Sequence, residues 1–218
     1  MKENPDCLIY LLTPPRIDDV AGFATVLAQT LRAAPIACLQ IRLKDTPRET
    51  IVEIANTLIP IAHAHSTEVI INDDPTIATQ TGADGVHLGQ VDMDIKFAKD
   101  MLARDAIIGV TCHNSKDLAF KAGSGGAHYV AFGSFFESKT KPDARPANLE
   151  LLTWWHEMME IPSVAIGGIT PDNARQVIEA GADFIALSAG VWDYAGGPVR
   201  AVQQLSDLCM RYTRPCPQ

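Results

Sequence analysis

Short apolar runs alternate with longer amphipathic segments along most of the chain. The runs are the length of buried strands and fall at 8–12, 37–41, 68–72, 85–88, 106–110, 129–133, 163–167 and 184–188. Apolar residues recur at helical spacing between them, over 18–33, 47–65, 94–104, 115–123, 147–160, 172–180 and 198–212. This alternation predicts an α/β fold with a parallel sheet. Eight such units in 218 residues favour a closed (β/α)₈ TIM barrel over an open sheet.

A weak internal repeat supports the barrel. T-G-A-D-G-V-H-L-G at 81–89, G-G-A-H-Y-V-A-F-G at 125–133 and A-G-A-D-F-I-A-L-S at 180–188 share one pattern. In each, glycine, alanine and a polar residue precede a strand, which predicts a helix ending at glycine and a strand entering the barrel. No linker divides the chain, so we expect a single domain over 1–218, with a frayed tail at about 213–218.

Charge and cysteine content narrow the functional class. The net charge of −8 argues against nucleic acid or an anionic membrane as the main partner. The five cysteines form no C-x-x-C pair, so the sequence predicts neither a disulfide framework nor a zinc site. No apolar stretch approaches the ~20 residues of a membrane span, and the start of the chain lacks an apolar signal core. We expect a cytoplasmic protein, and a homo-oligomer is compatible with the sequence.

Cations follow the second predicted strand. The chain continues there as Q-I-R-L-K, and a period of two places Gln40, Arg42 and Lys44 on one face, with Ile41 and Leu43 towards the helices. The same alternation is found in exposed edge strands, but a closed barrel has no edge strand. In such barrels the active site lies at the carboxyl ends of the strands. Two cations at that end therefore predict an anionic ligand.

Carboxylates follow the next two predicted strands. Strand 3 ends at Asn72 and is followed by Asp73 and Asp74, and Asp92 comes shortly after strand 4. Hard oxygen ligands opposite cations favour Mg²⁺, held by one or two carboxylates together with a substrate diphosphate. Helix capping by Asp73 or Asp74, and by Asp92 or Asp94, accounts equally well for either residue taken alone.

Glycines and hydroxyls follow strands 7 and 8. Gly167 and Gly168 permit close approach of the backbone, Thr170 and Pro171 predict a helix start, and Ser188 ends strand 8. Backbone N–H groups in these two loops commonly bind phosphate in such barrels. The sequence therefore predicts a second anion site, and with it a phosphate chemistry that joins two substrates.

The loop after strand 6 reads F-G-S-F-F-E-S-K-T-K-P-D-A over 132–144. Its glycine, proline and aspartate already supply turn chemistry, so its hydroxyls and lysines indicate contact with an anion. Taken in isolation, an S-K-T-K string is more often part of a solvated loop with scattered charge. The end of strand 5 adds Thr111, whose hydroxyl we expect to point inward.

Taken in order, these motifs resemble the thiamine phosphate synthase family, also called thiamine-phosphate pyrophosphorylases. The resemblance covers nearly the whole chain, through 40–44, 71–74, 82–92, 108–111, 132–141 and 165–170. It implies condensation of a hydroxymethylpyrimidine diphosphate with a thiazole phosphate, which yields thiamine phosphate and diphosphate. Both partners would be small molecules.

The resemblance also implies roles for individual residues. The pyrimidine diphosphate would be held by Gln40, Ile41, Arg42, Leu43, Lys44, Asn72, Thr111 and Lys141. The thiazole phosphate would be bound by Ser138, Lys139, Thr140, Gly168, Leu187 and Ser188. One Mg²⁺ would be ligated by Asp73 and Asp92. Stabilisation of the departing diphosphate would make Arg42, Lys44 and Lys141 catalytic.

Two alternatives remain open. The thiazole tautomerase branch of the same fold often has Gly-His-Val-Phe-Glu-Thr in the corresponding loop. Phe136 and Glu137 match that stretch, whereas Ser134 stands where the histidine would be. A non-catalytic barrel that binds thiamine precursors would keep the charged residues without turnover. The complete Gln-Arg-Lys strand, with Thr140 and Lys141, favours the synthase.

Overall fold

Eight parallel strands close into a barrel in the computed structural model, which describes residues 7–137 and 147–212. The strands pair in chain order, and β8 closes onto β1. They are β1 Leu8–Leu12, β2 Cys38–Ile41, β3 Glu68–Asn72, β4 Gly85–Leu88, β5 Ile107–His113, β6 Tyr129–Gly133, β7 Ser163–Ile166 and β8 Phe184–Leu187. The predicted (β/α)₈ barrel is confirmed.

Helices follow the strands in the described part of the chain. They are α1 Val20–Ala33, α2 Arg48–His63, α3 Pro75–Thr81, α4 Ile95–Met101, α5 Lys116–Gly125, α6 Leu149–Met158, α7 Ala174–Glu179, α8 Ala189–Trp192 and α9 Pro198–Tyr212. Within these residues, no helix combines the length and the apolar character needed to cross a membrane.

Alternation along the strands divides the core into two parts. One face of each strand packs against the helices, as Leu11 and Leu39 do. The opposite face fills the barrel interior with a separate cluster that includes Tyr10, Cys38 and Tyr129. The interior is therefore packed rather than open, as is usual for this fold. Polar residues that continue the interior face beyond this cluster reach the carboxyl end of the barrel.

The repeated motif closes the amino end of the barrel. In each copy the polar residue before the strand accepts a hydrogen bond from the backbone N–H near the start of the preceding strand. The pairs are Asp84 Oδ2 with Val69 N (2.7 Å), His128 Nδ1 with Ile108 N (3.0 Å), and Asp183 Oδ2 with Ser163 N (2.8 Å). We call these three contacts the basal latches. They explain why aspartate and histidine exchange at this position, because each side chain offers an acceptor.

Some predicted boundaries are wrong. Helix α7 begins at Ala174 rather than at Pro171, because Asn173 Oδ1 accepts from Thr170 N at 2.8 Å and the chain between them forms a turn. Strand β5 continues to His113 instead of ending at residue 110. Helix α8 was not predicted, since four residues are too few to show a helical period.

Candidate functional site

A cavity of about 480 Å³ opens at the carboxyl end of the barrel. Residues from β2 to β5 line one side, and residues from the loops after β6, β7 and β8 line the other. Of the predicted site residues, the cavity brings together Gln40, Arg42, Asn72, Thr111, Gly168, Leu187 and Ser188. Members of both predicted anion sites therefore face one common space.

Thr13, at the end of β1, connects the two sides of this cavity. Its Oγ1 accepts from Arg42 N at 2.9 Å and donates to Arg42 O at 3.2 Å, which fixes the backbone beneath the guanidinium. The hydroxyl of Ser188 donates to Thr13 O at 2.9 Å. That hydroxyl proton is therefore already used within the protein. Sequence reasoning did not identify Thr13; its place directly after a strand was the available signal.

Lys44 lies outside the cavity. Strand β2 ends at Ile41, so its alternation does not extend as far as Lys44. The backbone N of Lys44 donates to Pro15 O at 2.9 Å, and its exposed side chain lines a neighbouring groove together with Arg16. The structure therefore places one of the two predicted strand-end cations, Arg42, in the cavity.

Of the four aspartates considered as possible helix caps, two cap a helix in the structure. Asp74 caps α3 and accepts backbone hydrogen bonds from its first turn, the shorter at 2.8 Å. Asp94 caps α4 in the same way, through a contact of 2.9 Å. Neither Asp73 nor Asp92 caps a helix, so the capping explanation does not account for the two residues predicted to bind the metal.

Asp73 and Asp92 form a carboxylate pair near Arg42. The two side chains are close enough for Asp92 to raise the pKa of Asp73, and Asp92 Oδ2 accepts from Gly89 N at 2.6 Å. Burial, together with the adjacent Asp92 carboxylate, raises the pKa of Asp73 to about 6 against the opposing effect of Arg42. Asp73 has a left-handed backbone, with φ of 67°, a conformation that aspartate tolerates better than most residues. Two close carboxylates of this kind form a site that a cation would stabilise.

A chain of hydrogen bonds crosses the barrel interior beside the cavity. Gln40 Nε2 donates to the Tyr10 hydroxyl at 2.9 Å, and the Tyr10 and Tyr129 hydroxyls are 2.8 Å apart. His87 Nδ1 lies 2.9 Å from the Tyr129 hydroxyl, and His87 Nε2 lies 2.7 Å from Thr111 Oγ1. We call these five residues the interior relay. The place of His87 within an apolar strand is typical of a satisfied core histidine, which fits these contacts. Sequence reasoning did not identify the two tyrosines.

The loop after β7 is shaped for close contact. Gly168 has φ of 65°, and a Cβ atom there would lie 2.4 Å from Glu137 O. Asn173 Nδ2 donates to Gly168 O at 2.9 Å and holds the loop in place. Ala189 and Gly190 also line the cavity, and N–H groups in the first turn of a helix have no partner within it. The loops after β7 and β8 thus present backbone to the cavity.

Four predicted site residues, Ser138, Lys139, Thr140 and Lys141, lie outside the described residues. The start of the same loop is described, and Gly133 and Ser134 line the cavity. Contact between the four residues and a ligand therefore stays a prediction.

The fold and the cavity together define a (β/α)₈ barrel with a binding site at the carboxyl ends of its strands. The model of the thiamine monophosphate synthase family matches residues 9–191, and the chain belongs to this family.

Individual relatives agree with this assignment. The chain is 50% identical over 197 residues to thiamine-phosphate synthase of Rhodospirillum centenum, covering 90% of this chain and 95% of that protein. It is 45% identical over 209 residues to thiamine-phosphate synthase of Hyphomonas neptunium, covering 94% and 95%. The solved structure of thiamine phosphate pyrophosphorylase from Pyrococcus furiosus matches with a TM-score of 0.83 at 32% identity, covering 94% of this chain and 96% of that one.

Proposed function

We propose that this protein is a thiamine phosphate synthase. It joins an aminopyrimidine that carries a CH₂-diphosphate group to a thiazole phosphate and releases diphosphate. The observation that carries the proposal is one continuous cavity, which is lined by Gln40, Arg42 and Asn72 on one side and by the loops of Gly168 and Ser188 on the other. A single continuous space with a proposed anion-binding region on each of two opposite sides suits a reaction between two phosphorylated substrates.

The proposed reaction exchanges one bond for another. The lone pair of the thiazole nitrogen attacks the CH₂ carbon, and the bond between that carbon and the diphosphate oxygen breaks. No proton is transferred, so the reaction needs no general base. The main demand on the protein is to stabilise negative charge on the leaving group. Arg42 would do this from the position directly after β2, and Lys141 from the loop after β6.

The carboxylate pair Asp73 and Asp92 fits a magnesium ion. The described residues contain no cluster of three or more metal-ligating side chains, and Mg²⁺ usually needs only one or two carboxylates plus substrate oxygens and water. The raised pKa of Asp73 reflects burial and the nearby Asp92 carboxylate, a situation that bound Mg²⁺ would relieve. When bound, the ion would neutralise diphosphate charge.

The remaining roles concern binding. Gln40, Asn72 and Thr111 would orient the pyrimidine, and the backbone at Gly168 and Ser188 would receive the thiazole phosphate. Ser134 supports synthase over tautomerase chemistry, because its hydroxyl donates to Phe136 O at 2.8 Å and serves the loop itself.

The test is an assay of the purified protein with both substrates and Mg²⁺. We expect thiamine phosphate and diphosphate in equal amounts, with no product when either substrate is omitted. Isomerisation of a thiazole substrate alone would instead indicate a tautomerase, and binding without any product would indicate a non-catalytic barrel. Replacement of Asp92 by Asn should raise the Mg²⁺ concentration needed for half-maximal rate.

A further inference from the structure

The interior relay reaches the cavity at both of its ends, Gln40 and Thr111. We propose that Tyr10 and Tyr129 are positioning residues. They act through His87 to fix Thr111 as a hydrogen-bond donor towards the pyrimidine ring, and the direct contact of Tyr10 with Gln40 Nε2 leaves Gln40 as an acceptor. In this inference, the identity of the ligand rests on the proposed function. The polarity of the relay is inferred without reference to the ligand, from the contacts and from the donor and acceptor capacity of each of the five side chains.

The direction is set at the Gln40 end. An amide nitrogen can only donate, so the Tyr10 oxygen accepts from Gln40 Nε2. The proton of Tyr10 then has two neighbours, the Tyr129 oxygen at 2.8 Å and the Cys38 sulfur. Sulfur is a weak acceptor, so the Tyr10 proton is directed to Tyr129.

The direction continues through His87 to the cavity. Tyr129 accepts from Tyr10 and therefore donates its own proton to His87 Nδ1, at 2.9 Å. A neutral imidazole that accepts at Nδ1 carries its proton on Nε2, which donates to Thr111 Oγ1 at 2.7 Å. The Thr111 hydroxyl then has its own proton available for the cavity that it lines.

The charge states agree with this scheme. Burial, reinforced by the positive charge of Arg42, lowers the pKa of His87 to about 4, so the ring is neutral near pH 7. Burial also raises the pKa of both Tyr10 and Tyr129 well above the usual value for tyrosine. Every member of the relay is thus uncharged, and each shared proton has one donor and one acceptor.

The surrounding packing holds the relay in place. A Cβ atom on Gly109 would lie 1.9 Å from Tyr129 Cζ, so the absence of a side chain at Gly109 makes room for this phenol. The Tyr129 ring stacks on His87 with centroids 5.6 Å apart and meets Tyr10 edge to face at 5.9 Å. These contacts leave the hydroxyls little freedom to find other partners.

The two ends of the relay match an aminopyrimidine. Because Gln40 Nε2 is bound to Tyr10, the Gln40 carbonyl oxygen is the atom left to accept from the exocyclic amino group of a substrate. The Thr111 proton can be given to a ring nitrogen. An oxo-pyrimidine offers an acceptor in place of the amino group and should be rejected, since unpaired buried polar groups are costly.

Nitrogen NMR tests the polarity directly. The ¹⁵N shifts of the two His87 ring nitrogens, assigned by loss of the signal in His87→Gln, distinguish the two tautomers. We expect the Nε2–H form in the native protein and a shift towards the Nδ1–H form, or a mixture, in Tyr129→Phe. A native protein in the Nδ1–H form would overturn the proposal, as would an unchanged tautomer in the variant.

Kinetics test the consequence. In Tyr129→Phe and Tyr10→Phe we expect kcat/KM for the pyrimidine diphosphate to fall about tenfold, the effect of one buried hydrogen bond, and discrimination against the oxo analogue to fall with it. The KM for the thiazole phosphate should not change, which separates this effect from general misfolding. The control is Tyr194→Phe, which removes a hydroxyl that donates to Gln204 at 2.7 Å away from the cavity.

The outcomes separate the two proposals. Wild-type rates in both relay variants would refute the positioning role, whichever tautomer is observed. If the native protein forms no thiamine phosphate, the proposed function fails, while the NMR measurement still decides the direction of the relay. Should Tyr129→Phe fail to fold, Tyr10→Phe interrupts the same relay at its first hydroxyl and provides the same test.

Discussion

Replacement of Arg42 by alanine should remove most of the catalytic efficiency. The guanidinium is the strand-end cation that the structure places in the cavity, above a backbone fixed on both sides by Thr13. A charge-assisted hydrogen bond contributes about 1.5–3 kcal/mol, and a guanidinium can give two to a diphosphate. The loss of both corresponds to about 3–6 kcal/mol, or roughly 10²- to 10⁴-fold in kcat/KM.

The measurement is kcat/KM for the pyrimidine diphosphate, from diphosphate release at saturating thiazole phosphate. Arg42→Lys keeps the charge but loses the paired geometry, so an intermediate rate is expected. The matched control is Arg175→Ala on α7, where an exposed arginine pairs with Glu179 at 2.8 Å. A value for Arg42→Ala within about threefold of wild type would refute the assignment of Arg42 to the leaving group.

Three further predictions concern stability and reactivity. Gly109→Ala forces a methyl group into Tyr129 and should cost about 1–3 kcal/mol, seen as a Tm lower by several degrees. Asp74→Ala removes the cap of α3 and should cost ~0.5–2 kcal/mol in chemical unfolding; its ion pair with Arg48 adds little, since both side chains are 39% exposed. Burial raises the pKa of Cys112 to about 12, so iodoacetamide at pH 8 should leave this thiol unmodified in the native protein, as read by mass spectrometry.

Each of these has a matched comparison. Gly123→Ala places its new methyl against the flexible end of Ile161 and should leave the Tm unchanged or higher; equal losses at Gly109 and Gly123 would contradict the role of Tyr129. Asp74→Asn keeps a capping side chain, so a loss as large as that of the alanine variant would argue against capping. Denatured protein should label fully at Cys112, and rapid labelling of the native form would contradict its burial.

The raised pKa of Cys112 also makes its contribution to folding stability depend on pH in a defined direction. An unfolded thiol loses its proton at about pH 8.5, whereas the folded thiol keeps it up to about pH 12. Between these values the unfolded chain is favoured by ionisation, so the contribution of Cys112 to stability falls as pH rises from about 9 to 12. Below that range the contribution is constant.

The barrel was predictable because its signals are periodic and repeated. Strands of four or five apolar residues, and glycines that end helices, recur along the chain, and β1, β3, β4 and β6 have the predicted bounds. The position of Lys44 was not predictable, since a period of two says nothing about where a strand stops. That end depends on the turn that follows, where Asp45 takes a left-handed φ of 49°.

The interior relay was hidden for a different reason. Tyr10 and Tyr129 stand among apolar neighbours and read as core residues, which they also are. The hydrogen bond between them forms only when β1 and β6 face each other across the barrel, and it joins residues 119 positions apart. The sequence also could not decide between helix capping and metal binding for the aspartates. Asp73 and Asp74 are adjacent residues of the same type, and only the structure shows that Asp74 is the cap.

The basal latches hold strands together at the end of the barrel opposite to the loops that form the cavity. They tie neighbouring strands at the amino end of the barrel, through Asp84, His128 and Asp183, while the cavity occupies the opposite end. Each latch joins an even-numbered strand to the odd-numbered strand before it, which gives the pairs β3–β4, β5–β6 and β7–β8. The loops at the other end can then change length and composition without loosening the strand pairs. Chimaeras that exchange whole latched strand pairs between relatives should therefore keep the barrel fold.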